Sequence, residues 1–381
     1  MEKKVLAFDF GASGGRAMCG TFDGDKISIE ELHRFSNDPV ILNGSMYWDV
    51  LRLFFEIKQG LIKAKKCGKI ESIGIDTWGV DFGLIDEEGR LLENPVHYRD
   101  ARTEGMIEES FKLIDKEKFY QITGNQFMDL NTAFQLLSLV KTRKELLEKA
   151  DKMILMPDLF NYFLTGEKKA EYSIASTTQL LDAKKGEWSD EVIEALGIPK
   201  HIFPEIVPTG TKIGTLTDEI CTELGLDKID VMAVAGHDTQ SALVSVPTSE
   251  EDFIFLSCGT WSLLGTELAE PIINEKSEHY NITNEGGYEE RFPSLRISSD
   301  CGVFRKAVVS GSVKEMSMDL ASLRLWQKKL RHSRALLIRM HRNSHQPEIF
   351  RQESVNSARR QDSLFRKQSE KLFVASTRVL Q

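Results

Sequence analysis

The residues best equipped for chemistry lie in a few short clusters. Asp9-Phe-Gly-Ala-Ser-Gly-Gly-Arg16 ends an apolar run, Val5–Phe10, with a carboxylate, then supplies glycines before a second run begins. A turn of this kind presents backbone N–H groups to phosphate oxygens and lets the backbone approach them closely. Asp9 is placed to hold Mg2+ through water, because that ion takes one or two carboxylates and keeps most of its own waters. An ordinary glycine-rich hairpin fits the same letters. Neither a P-loop nor a dinucleotide fingerprint is present, since both need a helix straight after the glycines.

Gly236-His-Asp-Thr239 follows the apolar run Val231–Ala235. A carboxylate just past a buried strand can project into a cleft and accept the proton of a hydroxyl that attacks a γ-phosphate. Asp238 as a helix N-cap is the competing reading. Cys258-Gly-Thr-Trp-Ser262 repeats the small-residue pattern of the first turn and is a candidate second phosphate cradle. Asp76-Thr-Trp-Gly-Val-Asp-Phe82 combines two acids with an aromatic plane, and Tyr98-Arg-Asp-Ala-Arg102 adds a polar cluster. Paired hydrogen bonds and aromatic faces suit a sugar; a salt-bridged surface turn suits the second cluster equally well. Asn131, Gln135, Ser176, Thr177, Thr178 and Gln179 fit either pocket lining or helix capping.

The elements that must position these groups follow from periodicity. Strands are expected at Val5–Phe10, about 16–21 and about 26–33, with Asp23-Gly-Asp25 as a hairpin turn. A helix is expected over about 49–66, with Leu51, Phe54, Phe55, Ile57, Leu61 and Ile62 as its apolar face. Ser72–Asp76 and a stretch beginning at Leu84 read as strands, and helices are expected over 103–120, 131–149 and 158–164. Strands expected at Val231–Ala235, Phe253–Ser257 and Ser262–Glu267 start the same order again near residue 229. The expected architecture is α/β: two similar domains, 1–228 and 229–292, facing a cleft.

The chain has 381 residues, 41% of them hydrophobic and 28% charged, which suits two globular domains. No run approaches the length of a membrane span. Five scattered cysteines, Cys19, Cys67, Cys221, Cys258 and Cys301, form no disulfide framework or metal cluster, so a reduced, cytoplasmic protein is expected. With no His-Glu-x-x-His pair, zinc chemistry is not expected.

Taken together, the clusters resemble the FGGY family of carbohydrate kinases. The resemblance rests on Asp9–Arg16, Gly74–Phe82, Pro95–Asp100, Ala175–Leu180, His237–Thr239, Ser257–Ser262 and Ile282-Thr-Asn-Glu-Gly-Gly287, in the family's order over nearly 290 residues. It implies two actin-like (ribonuclease H-like) domains with ATP and a sugar in the cleft between them. It implies that Ala12, Ser13, Gly14, Gly15, Arg16 and Thr260 bind ATP, and that Gly79, His237, Asp238 and Thr239 contact the sugar. Asp238 would be the general base, with Mg2+ accompanying ATP. A kinase for another ketose or polyol, a non-catalytic sugar- or ATP-binding remnant, and an ATP-binding protein of actin or chaperone type are the competing readings. Nucleic acid and membrane are not expected partners.

The resemblance stops near residue 292. Residues 1–292 carry 31 Lys and Arg against 51 Asp and Glu, whereas residues 293–381 carry 18 against 7 and only two of the 27 glycines. Ile297-Ser-Ser-Asp-Cys-Gly302 can be encoded so that a reading frame two bases later gives Ile-Ile-Gly-Leu-Trp, which resembles the family's continuation. Phe365–Gln381 can be encoded so that the same offset gives Pro-Glu-Thr-Val-Gly-Glu-Ile-Val-Arg-Cys-Val-Tyr-Gln-Ser-Leu-Ala. The expectation is a frameshifted tail that leaves the second domain incomplete, shares no core with the rest, and forms local helix around 319–340. A basic nucleic-acid arm is then unnecessary. Sequencing the gene tests this directly: a single-base insertion or deletion near codon 293 is expected, and a gene with no displaced homology downstream would refute it.

Overall fold

A computed structural model describes residues 2–246, 253–258, 261–298, 335–339 and 348–351. The first sheet is built on β1 (Lys3–Gly11), β2 (Gly14–Phe22) and β3 (Ile27–Ser36), an antiparallel meander. β4 (Ser72–Thr77) lies parallel to β1, so that Asp9 and Asp76 are neighbours. β5 (Lys212–Thr215) and β6 (Asp230–Met232) complete the order β5-β6-β4-β1-β2-β3. Leu6, Phe8 and Phe10 alternate inward from β1 and are fully buried, the period of a strand with a covered face. Helix α1 (Val50–Ala64) packs beside β3, with Asp49 capping its start through a bond from Arg52 N.

The buried stripe of α1 is Val50, Leu53, Ile57, Gly60, Leu61 and Ala64. The expected face was rotated from this: Leu51, Phe55 and Ile62 point outward at 63%, 52% and 41% exposure. Gly60 explains the difference. A Cβ there would stand 2.5 Å from the Phe8 ring, so the helix sits almost on the sheet and turns its small side inward.

The second sheet repeats the plan. β7 (Ile254–Cys258), β8 (Ser262–Leu268) and β10 (Phe292–Ser298) are antiparallel neighbours, and β11 (Ala335–Arg339) runs parallel to β7 as β4 does to β1. β9 (Thr283–Asn284) and β12 (Glu348–Arg351) form the edges. This is the two-domain, actin-like α/β arrangement expected from the sequence.

Several boundaries differ from expectation. The repeat does not begin at residue 229, because β6 lies within the first sheet, parallel to β4. The helix Asp238–Val244 also packs against β1 and β4, so the first domain continues past residue 228 into this helix, while Leu243 and Val246 already join the core of the second sheet. The helix expected over 103–120 is two, Met106–Ser110 and Lys116–Thr123, because Asp115 leaves the first path to cap the second. That expected over 131–149 breaks at Arg143, which adopts φ −149°. Past residue 292, Phe292–Ser298 pairs with β8 and buries Leu295 in the second core, so this stretch does share a core with the rest. Residues 335–339, expected as helix, are strand; the remainder of 319–340 lies outside the described residues.

One polar group anchors the wall between the strand ends and the loop at 95–100. Asp81, 1% exposed, accepts hydrogen bonds from Trp48 Nε1 (2.5 Å), Trp78 Nε1 (3.0 Å), the Tyr98 amide (3.2 Å) and Gln135 Nε2 (2.9 Å). Burial pushes its carboxyl up to about 6, while Trp48, Gln135 and Trp78 pull it down. An amide in its place would face donor against donor. Asp81→Asn is therefore expected to cost about 1–3 kcal/mol of stability, read as a lowered urea midpoint, and an unchanged midpoint would deny Asp81 this anchoring role.

Candidate active site

A cavity of about 620 Å³ lies between the two sheets, lined from the first by the β1–β2 turn and the 237–239 segment and from the second by Ser257, Trp261, Thr283 and Glu285. The glycine turn and Asp238, nearly 230 residues apart in sequence, thus open onto one space.

The turn is a tight hairpin closed by the pair Gly11 and Gly14, with Ala12 and Ser13 at its tip. Its later glycines serve close packing: a Cβ on Gly14 would meet Phe35 O at 2.8 Å, and one on Gly15 would meet the Phe35 ring at 2.4 Å. Asn37 ties the tip down, its side chain donating to Gly11 O at 3.0 Å. Arg16 lies opposite Asp9 in the ladder and forms a salt bridge with it, each side chain about a quarter exposed. Ala12, Ser13, Gly14, Gly15, Arg16 and Asp9 all line the cavity. Thr260 lies outside the described residues.

On the other side, the chain leaves β6, passes Gly236 and enters the helix Asp238–Val244. Gly236 N donates to Glu171 Oε2 at 3.0 Å, and Gly236 O accepts from Thr77 N at 2.9 Å, which fixes the segment against the end of β4. His237, not Asp238, holds the N-cap position; Asp238 is the first helical residue, and its Oδ1 accepts from Thr239 Oγ1 at 3.2 Å. The capping alternative for Asp238 is therefore not realised. Its side chain is 34% exposed, towards the cavity it lines. Burial raises the Asp238 carboxyl, the His237 charge lowers it, and Asp9 raises it again. Asp76 behaves similarly: burial first, then the charges of Asp9 and Asp238, hold it well above the usual carboxylate range.

His237 Nδ1 donates to Glu285 Oε2 at 2.9 Å, and its Nε2 lies 3.5 Å from Asp238 Oδ1. Burial disfavours the charged ring, yet Glu285 more than compensates, and Asp238 and Glu171 add to it, so the ring is pushed up to about 9. Glu285 belongs to the Ile282–Gly287 stretch quoted for the resemblance, but nothing in its letters marked it for a role. Only the fold brings it to His237.

Trp78, Gly79, Val80 and Tyr98 form a further wall. A Cβ on Gly79 would press Thr177 at 3.3 Å. Val80 adopts a left-handed φ of 69°, costly for a β-branched residue, and is held there by Thr177 Oγ1 on its amide and Thr132 Oγ1 on its carbonyl. Asn131 and Thr177 line the cavity, whereas Thr178 and Gln179 are fully buried behind it. Of the 98–102 cluster only Tyr98 reaches the cavity. Asp100 caps the turn through Met46 N and Arg102 N, and Arg102 donates to Gln135, so the salt-bridge and sugar readings both give way to a structural one there.

The residues present suit a magnesium-bound nucleotide in one respect. Asp9 supplies a hard oxygen beside two further carboxylates whose repulsion a divalent charge would relieve. Among the described residues no group of three or more His, Cys, Asp or Glu side chains could hold a metal ion alone. Nor is any helix of the described residues long and apolar enough to cross a membrane.

Comparison with known proteins agrees with this geometry. The model for the N-terminal domain of the FGGY family of carbohydrate kinases matches residues 4–245. The rhamnulokinase of Bacteroides thetaiotaomicron is 43% identical over 305 residues, covering 80% of this chain and 62% of that protein. The rhamnulokinase of Oceanobacillus iheyensis is 44% identical over 297 residues, covering 78% and 63%. The chain thus spans under two thirds of the length of these relatives. Ligand-bound xylulose kinase from Lactobacillus acidophilus superimposes with a TM-score of 0.71 at 19% identity, over 80% of this chain and 62% of that one, a likeness of fold alone. Sequence, fold and cavity converge: the chain belongs to the FGGY family of carbohydrate kinases.

Proposed function

We propose that this chain is a rhamnulokinase-type kinase, transferring the γ-phosphate of ATP to the 1-hydroxyl of L-rhamnulose to give L-rhamnulose 1-phosphate and ADP. The observation that carries this reading is that the 11–15 hairpin and Asp238 line one and the same cavity. The relatives named rhamnulokinase support the choice of sugar.

In this reading the sugar lies against Trp78 and Gly79, within reach of His237, Asp238 and Thr239. Asp238 accepts the proton of the 1-hydroxyl as that oxygen forms its bond to the γ-phosphorus, and the bond to the ADP oxygen breaks. The amides of Ala12–Gly15 face the phosphates, and Arg16 answers their charge. His237, cationic through its bond to Glu285, keeps a positive charge next to the base and donates from Nε2. Mg2+, when bound with ATP, supplies charge neutralisation on the phosphates, and Asp9 is the residue that would hold it through water. Substrates of this kind are small, soluble metabolites, which fits a cytoplasmic enzyme.

A coupled assay of ADP release tests the reading. ADP release is expected only when ATP and L-rhamnulose are both present, and ADP release from ATP alone would favour an ATPase. Asp238→Asn is expected to lower turnover by roughly 10²-fold or more while leaving the dissociation constant for L-rhamnulose nearly unchanged. Near-normal turnover in that variant would remove Asp238 from the base role.

A further inference from the structure

His237 and Glu285 come from different domains, 48 residues apart, and meet in a place closed to solvent: they are 7% and 2% exposed. Glu285 Oε2 accepts both His237 Nδ1 at 2.9 Å and Gln240 Nε2 at 3.0 Å, so the carboxylate is held from two points on one helix turn. The stretch that carries it is pinned to the first domain along its length. Tyr120 donates to Ile282 O at 2.7 Å, Asn125 Nδ2 to Thr283 Oγ1 at 3.0 Å, and Gly286 N to Ser176 Oγ at 2.7 Å. Asn284 adds two bonds to Gly124 O, from its backbone and from its side chain.

We propose that Glu285 is a positioning residue for the phosphoryl-transfer site. It holds His237 by its Nδ1 and so leaves Nε2–H beside Asp238, and it does so only while Ile282–Gly287 is docked on the first domain. The donor that meets the sugar is thereby assembled by contact between the domains rather than by either domain alone. This rests on the reading of the cavity as a sugar site.

Chemistry supports the assignment. A histidine whose Nδ1–H is taken by a carboxylate has its orientation fixed and its basicity increased, so Nε2 keeps its proton and remains a donor. The charged groups facing His237 are Glu285 from the second domain, Asp238 on its own segment, and Glu171, which also holds Gly236 N. All three are acidic and favour the cation. Of these, Glu285 alone is in direct hydrogen bond with the ring. A neutral ring would offer Nε2 as an acceptor next to the Asp238 carboxylate and would lose both the bond to a sugar oxygen and the charge beside the base.

The test is histidine-labelled NMR of the whole chain, wild type and Glu285→Gln, with no ligand added. Glutamine keeps an acceptor in place and removes only the charge. The wild-type ring is expected to titrate near 9, and the variant ring about one unit lower or more. The same titration point in both proteins would overturn the proposal. Calorimetry with L-rhamnulose then separates positioning from simple support. Wild-type affinity should stay level between pH of about 6 and 8, while that of the variant falls about twofold by pH 8 for a one-unit shift, and further for a larger one, as its ring loses a proton. A loss equal at every pH would also overturn it. If Glu285→Gln does not fold, Glu285→Asp carries the comparison: its shorter arm must lower the ring's titration point by a smaller step, and no shift would refute the role. A shifted ring with no sugar affinity in either protein would instead refute the sugar reading, leaving the ion pair standing.

Discussion

Like charges gathered at the end of a sheet are the constraint on which this site depends. The parallel pairing of β1 with β4 sets Asp9 beside Asp76, and the next parallel strand, β6, delivers Asp238 to the same end. Burial disfavours ionisation of Asp76 and Asp238 most, the charges of Asp9 and Asp238 add to the cost at Asp76, and Asp9 adds to it at Asp238. Two cations offset this locally: Arg16, salt-bridged to Asp9 across the β1–β2 ladder, and His237, next to Asp238. His237 can be cationic in so buried a place because Glu285 reaches it from the second domain. Acid repulsion on one side of the cavity and ion pairing on the other belong to one electrostatic arrangement.

The fold contributes this arrangement through strand order. In each sheet an antiparallel meander stands beside a parallel strand, and in the first the β1–β2 turn and the segments that follow β4 and β6 line the same cavity. Two sheets built alike leave a space between their matching ends, and the lining of the cavity draws on both. Rigid walls keep that space open. Asp81 ties Trp48, Trp78, Tyr98 and Gln135 together, and Val80 is held in a strained conformation by Thr132 and Thr177.

What could be read from the sequence was local. The hairpin at 11–15 and the carboxylate after Val231–Ala235 announce themselves because each sits within a few residues of the strand that positions it. The role of Asp81 was hidden, since its donors lie at residues 48, 98 and 135 and its place among two acids suggested sugar contact instead. Glu285 was hidden for the same reason. The assignment of Asp230–Met232 to the second domain failed because a parallel strand carries no local sign of its partner: Val231 pairs with Ile73. The face of α1 was misjudged because periodicity counts apolar residues, whereas close approach over Gly60 decides which side turns inward. Asp115 and Arg143 ended helices that apolar spacing alone would have continued.

The most direct measurement is a crystal structure of the chain with L-rhamnulose and a non-hydrolysable ATP analogue. The account predicts the sugar's 1-oxygen at hydrogen-bond distance from the Asp238 carboxylate, with the terminal phosphate against the amides of residues 12–15. Ligands bound on separate surfaces, or a sugar out of reach of Asp238, would contradict it.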